Sequence, residues 1–260
     1  MFVDAHAHLD KYDDKQIEEV LSEIESRRIL TMSVSVDPAS FLRTESIAAR
    51  SHLVVPSFGI HPEQAPDFVD SLSEFEELVD RSPMIGEIGL DQCFVTDTTQ
   101  YGPQREVFCT LLDMAVDQGK LVNVHCVGAE QEMLDMLQSR GIDRAIIHWY
   151  SGPLEVLSGM IGAGYHFTVG VEVLHSEHIR KVASLIPDDQ LLTETDNPGG
   201  LEWLTREAGR PSHIGEVLDE LARVRGVTSA ELMGTTRENL GRLLNGDEYL
   251  AGWRSEVDSS

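Results

Sequence analysis

Six residues of this chain have side chains suited to metal-assisted chemistry and share a sequence context. His6 and His8 lie in FVDAHAH, Glu87 in MIGEIGL, His125 in LVNVHC, His148 in RAIIHW and Asp196 in LLTETD, each a short apolar run. Taken singly, each has a plain structural explanation. A histidine at the end of such a run is commonly a satisfied or partly exposed residue. Glu87 could be a buried carboxylate held by a backbone amide, and Asp196, before Asn197-Pro198, could cap a turn. Taken together they point elsewhere, because gathering that many ionisable groups in one interior is costly without a cation. Four imidazoles and two carboxylates form a mixed nitrogen and oxygen set. It suits zinc, manganese, cobalt or iron better than calcium, and the lack of thiolates argues against a structural zinc site. Six protein ligands exceed the needs of one four-coordinate ion. The expectation is therefore two divalent ions, zinc, manganese or magnesium, of the kind that sit roughly 3.5–4 Å apart, share a water and clamp phosphoryl oxygens. Asp196 could both ligate an ion and accept the proton of the attacking water, which makes Asp196 and Glu87 the expected catalytic pair.

Such a cluster needs a scaffold that brings distant segments to one place. Eight short apolar runs recur along the chain: 2–8, 29–36, 53–60, 84–90, 121–126, 144–149, 165–170 and 191–196. Helix-like stretches separate them, with 14–27, 103–118 and 129–139 the clearest, and 211–225 and 228–244 follow as closing helices. Strands alternating with helices imply a parallel sheet, since each crossover needs a helix to return the chain. Eight repeats in this length predict a closed (β/α)8 barrel of TIM type, an α/β fold in a single domain over 1–250, with a polar C-terminal tail over 251–260. A dinucleotide-binding sheet would want G-x-G-x-x-G after the first strand, where His-Ala-His stands instead. In such barrels the chemistry sits at the C-terminal ends of the strands. His6 and His8, two apart, point to one side of the first strand. Glu87 falls late in the fourth run, and His125, His148 and Asp196 end the fifth, sixth and eighth. His166 opens the seventh run and is expected to lie away from the mouth.

Composition sets limits on partners. The 260 residues carry a net charge of −25, and only Lys11, Lys15, Lys120 and Lys181 are lysines. That acidity suits either a saline environment or an ordinary acidic protein of the cytoplasm, and in both cases it disfavours extended binding to duplex nucleic acid. Three cysteines, Cys93, Cys109 and Cys126, make neither a disulfide framework nor a C-x-x-C site. No apolar run of about 18 residues suggests a membrane span, and the start lacks the pattern of a secretory signal. A cytoplasmic monomer with no membrane association is the expectation.

The segments FVDAHAHLD, GIHP, IGEIGLD, VNVHC, IIHWYSG and LLTETDNP, in this order from Phe2 to Pro198, resemble the TatD-type deoxyribonuclease family of the amidohydrolase superfamily. The resemblance implies a barrel with a two-metal site. His6, His8 and Asp196 would hold one ion, His125 and His148 the other, with Glu87 between them in place of a carboxylated lysine. It also implies a substrate or phosphate contact at His61, an ordering role for Asp91 and a structural one for Glu194. Departures from the family pattern concern the substrate. Val127 stands where members carry an arginine two residues after the fifth-strand histidine. The basic stretch after the eighth strand is reduced to Gly209-Arg210-Pro211-Ser212-His213, from which Arg210 could supply a replacement cation. HWYSG replaces the usual H-C-F-S-G. The leading reading is a two-metal phosphodiesterase acting on DNA or another phosphoester, such as a 3′–5′ exonuclease. A second is an amide, ester or lactone hydrolase, which Val127 and the acidic surface favour. A third is a metal-binding protein without turnover, which nothing in the ligand set supports.

Overall fold

In a computed structural model, which describes residues 1–259, eight parallel strands alternate with helices in a TIM-type barrel. The strands are β1 (Phe2–Ala7), β2 (Ile29–Val34), β3 (Val54–Ser57), β4 (Ile85–Asp91), β5 (Val122–Val127), β6 (Ala145–Ile147), β7 (His166–Val169) and β8 (Leu191–Thr193). They coincide with the eight apolar runs. Nearly every strand residue is buried, as expected where both faces of a parallel sheet are covered. β1 to β3 pair in order, as do β4 to β8. Two seams close the ring. Between β3 and β4, Phe58 bridges to Ile85 and the Gly86 N–H donates to the Phe58 carbonyl at 2.7 Å. Between β8 and β1, Asp196 N–H donates to His6 O at 3.0 Å, and His8 N–H to Asn197 O at 2.8 Å.

The outer layer begins with α1 (Gln16–Arg27), α2 (Pro38–Ala48), α3 (Ala65–Phe68), α4 (Glu76–Arg81), α5 (Tyr101–Gln118) and α6 (Glu130–Ser139). It continues with α7 (Leu154–Gly162), α8 (Glu177–Leu185), α9 (Gly199–Thr205), α10 (Ile214–Arg225), α11 (Ser229–Leu243) and α12 (Ala251–Asp258). Helix α1 shows why these segments coil: Ile17, Val20, Leu21 and Ile24 are spaced to bury one stripe. α11 starts at a reciprocal cap between Thr228 and Glu231, the side chain of each accepting from the other's backbone N–H. The expected helix at 211–225 is shortened, because Pro211–His213 form a tighter 3-10 turn and α10 begins at Ile214.

Two parts of the core serve different ends of the barrel. Val3, Leu30, Val55, Met84, Leu121, Ile146 and Leu192, drawn from around the whole ring, form one apolar cluster with Leu240, Leu243, Leu244 and Leu250. This is a dry plug at the N-terminal ends of the strands. The supposed polar tail takes part in it. Residues 251–258 are helical as α12, with Val257 buried in the cluster and Trp253 Nε1 donating to Val54 O at 3.2 Å. The segment reads as polar because only one face of this short helix is covered. The three cysteines are free thiols, exposed at Cys93 and buried at Cys126. Among the described residues no helix is long and apolar enough to cross a membrane.

His166 opens β7, far from the polar mouth, as expected. Burial, with a lesser effect of nearby Arg242, lowers its imidazole to about 4 from an ordinary 6.5. Below pH 6.5 the unfolded chain therefore binds a proton that the folded chain refuses, so stability falls as pH drops from 6.5 to 4. Allowing for partial exposure, this amounts to about 1–2 kcal/mol. Denaturant unfolding of His166→Asn, with divalent metals chelated, should show a flatter loss of stability over that window than the parent chain. Superimposable pH profiles would refute the assignment.

Candidate metal centre

The carboxylate of Glu87 is the hub around which the polar residues gather. Its Oε2 lies 3.7 Å from His6 Nε2 and 3.3 Å from His8 Nε2. Its Oε1 lies 2.9 Å from His125 Nδ1, 3.2 Å from His148 Nε2 and 3.9 Å from His61 Nε2. Asp196 Oδ1 joins the first group, at 3.8 Å from His6 Nε2 and 3.4 Å from His8 Nε2. The six expected ligands thus converge, and the two oxygens of one carboxylate divide them into two sets.

Backbone geometry explains how Glu87 reaches this position. It sits in the first half of β4 rather than late in it, because the strand runs on to Asp91. The pairing with β5 shifts register between Ile85 and Ile88, a bulge that redirects the side chain between them. Glu87 N–H donates to Ser35 O at 3.0 Å. The β3 end approaches so closely that a Cβ at Gly59 would lie 2.3 Å from the Glu87 carbonyl oxygen, so GIHP needs its glycine. On the opposite side, Asp196 adopts a left-handed φ of 49° just after β8. That costly conformation for a non-glycine residue is over-determined by its surroundings. Buried Asp4 accepts from Thr195 N–H at 2.8 Å and from Thr195 Oγ1 at 2.7 Å, and Tyr12 Oη lies 2.8 Å from Asn197 Oδ1.

Most of the converging imidazoles are oriented by a partner on their far nitrogen. Asn123 Nδ2 donates to Ala5 O at 2.8 Å, which leaves its Oδ1 as acceptor for His6 Nδ1–H at 2.9 Å. His6 Nε2 is then a bare lone pair, buried without a hydrogen-bond partner and aimed into the cluster. His125 Nε2 faces Asp91 Oδ2 at 3.3 Å, and His148 Nδ1 faces Glu194 Oε2 at 3.3 Å, itself held by Thr168 Oγ1 at 2.6 Å. A histidine whose outer N–H is tied to a carboxylate or carbonyl presents its other nitrogen to a metal in a fixed tautomer. The donor set fits divalent cations. His61 differs. Its Nδ1 accepts from Glu63 N–H at 3.2 Å, so Nε2 carries the proton and faces the site as a donor.

The electrostatics agree. Burial alone would raise the Glu87 carboxyl, but His61, His6, His125 and His148 together hold it well below the carboxylate range. Burial would likewise raise Asp91, which hydrogen bonds from His125 and from the Cys93 and Phe94 amides keep at about 2. His61 is pushed down to about 3, mainly by burial, and is neutral at physiological pH. Anionic carboxylates so deep in the molecule require positive charge beside them.

The site opens into a cavity of about 640 Å³, whose lining includes His8, His61, Glu87, His125, His148 and Asp196. Val127 is on that wall and Arg210 is not. Arg210 lies outside the barrel, its Nε 3.4 Å from Glu23 Oε2 and its Nη1 3.6 Å from Glu19 Oε2. The acidic face of α1 captures it, so it cannot replace the missing arginine. Among the described residues, Lys11 is the single lysine or arginine on the cavity wall. Its signal was available, as it follows HAHLD within one turn. Asn123 was also readable, two residues before His125 and so on the same strand face.

Two substitutions test this arrangement. Glu87→Gln should reduce bound transition metal from two equivalents to one or fewer, measured by elemental analysis, whereas unchanged stoichiometry would exclude a shared carboxylate. Asn123→Ala frees the His6 ring and should weaken metal affinity by about 10–100-fold in competition with a chelator, with the fold intact by circular dichroism.

Known proteins resemble the chain over nearly its whole length. The family profile described as TatD related DNase matches residues 3–245. Deoxyribonuclease TATDN3 of Homo sapiens is 27% identical over 258 residues, 93% of either chain. The uncharacterized metal-dependent hydrolase YabD of Bacillus subtilis is 26% identical, covering 94% of this chain and 98% of its own. In three dimensions, the TatD homolog YJJV of Escherichia coli superposes with a TM-score of 0.85 at 22% identity, over 93% of this chain and 97% of that one. With the ligand set, the barrel and the family profile in agreement, this chain belongs to the TatD-related DNase family of metal-dependent hydrolases, within the amidohydrolase superfamily.

Proposed function

We propose that the protein is a two-metal phosphodiesterase that cleaves DNA from a strand end, in the manner of a 3′–5′ exonuclease. The observation that carries this reading is the division of ligands by Glu87, with His6, His8 and Asp196 about Oε2 and His125 and His148 about Oε1. Two cations held there would activate water and neutralise the charge that builds on a phosphoryl group. The names of relatives such as human deoxyribonuclease TATDN3 support the choice of DNA.

The chain's own residues have distinct tasks in this reading. Glu87, His6, His8, His125, His148 and Asp196 hold the ions. Asp91, Asn123 and Glu194 fix the imidazoles. Asp196 is the most solvent-accessible carboxylate of the cluster, with 19% of its side chain exposed, and is placed to accept the proton of the attacking water. His61, neutral and with Nε2–H directed at the site, donates a hydrogen bond to a phosphate oxygen. Lys11 supplies the one full positive charge at the cavity wall.

The second reading, hydrolysis of an uncharged ester, amide or lactone, has a specific observation behind it. Val127 leaves the wall beside His125 apolar where a phosphate clamp is expected. End-labelled single-stranded DNA, tested against a panel of esters and lactones with added Mn2+ or Mg2+, separates the two. Shortening of the labelled strand is expected, and its absence at every salt concentration would sink the nuclease reading. Lys11→Gln should lower kcat/KM on DNA by about tenfold and flatten its salt dependence, while leaving any uncharged substrate unaffected.

A further inference from the structure

Three aromatic side chains share the wall of the metal cavity, and the hydrolytic machinery uses none of them. Phe94 and Trp203 are 61% and 58% exposed, whereas the other large exposed apolar residues, such as Leu42 and Val116, lie elsewhere on the surface. Trp203 meets Phe94 edge to face, with ring centroids 6.2 Å apart and planes at 87°, and it meets Trp149 at 6.4 Å and 83°. Large aromatic rings gathered at the rim of a pocket mark a place where something is bound.

Each ring is tied to a segment that carries a site residue. Trp149 directly follows His148, and its Nε1 donates to Glu172 Oε2 at 2.6 Å, which fixes the indole and satisfies its one polar group. Its six-membered ring presses on the first turn of α9. A Cβ added to Gly200 would lie 2.7 Å from Trp149 Cζ3 and 3.0 Å from Asp196 Cβ. Phe94 is held through its backbone, whose N–H donates to Asp91 Oδ1 at 2.8 Å. Trp203 stands on α9, which begins three residues after Asp196. The aromatic wall is therefore continuous with the metal ligands.

We propose that Phe94, Trp149 and Trp203 form a stacking subsite for the nucleobase of a terminal, unpaired nucleotide. The proposal rests on the reading of the site as a nuclease and specifies how it holds its substrate. Charge points the same way. Lys11 is the sole lysine or arginine on the wall, against Glu63, Asp91 and Glu172, so phosphate contacts give the protein little grip on a nucleic acid. Stacking on an aromatic face is independent of charge and tolerates any base, and one such stack changes binding by about 5- to 150-fold. Planar rings match walls made of faces and edges better than branched alkyl groups do. A base paired within a duplex keeps its faces covered, which leaves the unpaired end as the occupant.

Binding can be read without turnover, because Trp149 and Trp203 are two of the chain's three tryptophans. Thymidine 5′-monophosphate titrated into the full-length, metal-loaded protein should quench tryptophan fluorescence to saturation. 2-Deoxyribose 5-phosphate, which lacks the base, should not do so at the same concentrations. Trp203→Ala and Phe94→Ala should each raise the nucleotide Kd about tenfold, and Trp203→Phe should restore most of the affinity. Both side chains are mostly exposed, so circular dichroism should be unchanged. Equal binding of the two ligands, unaltered Kd in both alanine variants, or no nucleotide binding up to about 10 mM would overturn the proposal. Base-dependent binding without DNA cleavage would support the subsite and reject only the polymer substrate. Cleavage that proceeds equally on a strand with an abasic end, and in both alanine variants, would reject the subsite and leave the nuclease reading intact.

Discussion

Everything in this molecule that bears on chemistry answers to one buried carboxylate with a different set of imidazoles at each oxygen. Glu87 is almost wholly withdrawn from water, and an isolated anion there would be very costly. The fold meets that cost by surrounding it. β1 supplies His6 and His8 on the Oε2 side, and β5 with the end of β6 supplies His125 and His148 on the Oε1 side. Each of these segments must end at the same height around a closed ring. A (β/α)8 barrel does this with parallel strands, whereas an open sheet would spread the same residues along an edge.

The barrel separates the part that stabilises from the part that reacts. At the N-terminal ends of the strands, apolar side chains such as Val3, Leu30, Val55, Ile146 and Leu192 pack with Leu240 and Leu243 of α11 and Val257 of α12 in one cluster. Toward the other end the strands and their ends carry Asp4, His6, Glu87, Asn123 and Glu194, all buried, with His6 bonded to Asn123, Asp4 to Thr195 and Glu194 to Thr168. The apolar plug supports this polar layer, which could not hold itself together by burial alone.

The convergence of the candidate ligands was legible in the sequence because they are ionisable and, Glu87 apart, sit at or near the ends of apolar runs. The strands were legible because a barrel strand buried on both faces is a continuous apolar run. What escaped was decided by contacts between segments far apart in sequence. Asn123 shares a strand face with His125, but its hold on His6, 117 residues away, is visible only in the fold. Arg210 seemed a plausible phosphate contact from its place after β8, but Glu19 and Glu23 on α1 lie closer to it than the cavity does. The segment 251–260 read as a tail because a helix that buries little more than Val257 leaves almost no periodic signal. Glu87 lies earlier in its strand than the pattern suggests because β4 runs past its last apolar residue to Asp91.

Residues that face Glu87 and residues of the outer wall lie next to each other in sequence and line one cavity. His125 and His148 face Glu87, while Val127 and Trp149, two positions and one position further on, line the outer part of the cavity. Period-two alternation along a strand puts His125 and Val127 on the same side at different depths, so the outer position can change without moving the inner one. An arginine at 127 would favour phosphate by adding a second cation to a wall where, among the described residues, Lys11 is the one lysine or arginine. With valine there, the proposed recognition falls to Lys11 and to the aromatic rings of Phe94, Trp149 and Trp203, which share the same wall. Such a wall holds a ligand by its planar surface rather than by its charge, which suits a protein whose own charge of −25 repels polyanions. Two cations held about Glu87 would supply attraction for a phosphate as well as activation of water. An enzyme built this way should be selective for flexible, unpaired ends, because only these can bring one phosphate to the metals while turning a base toward the rim.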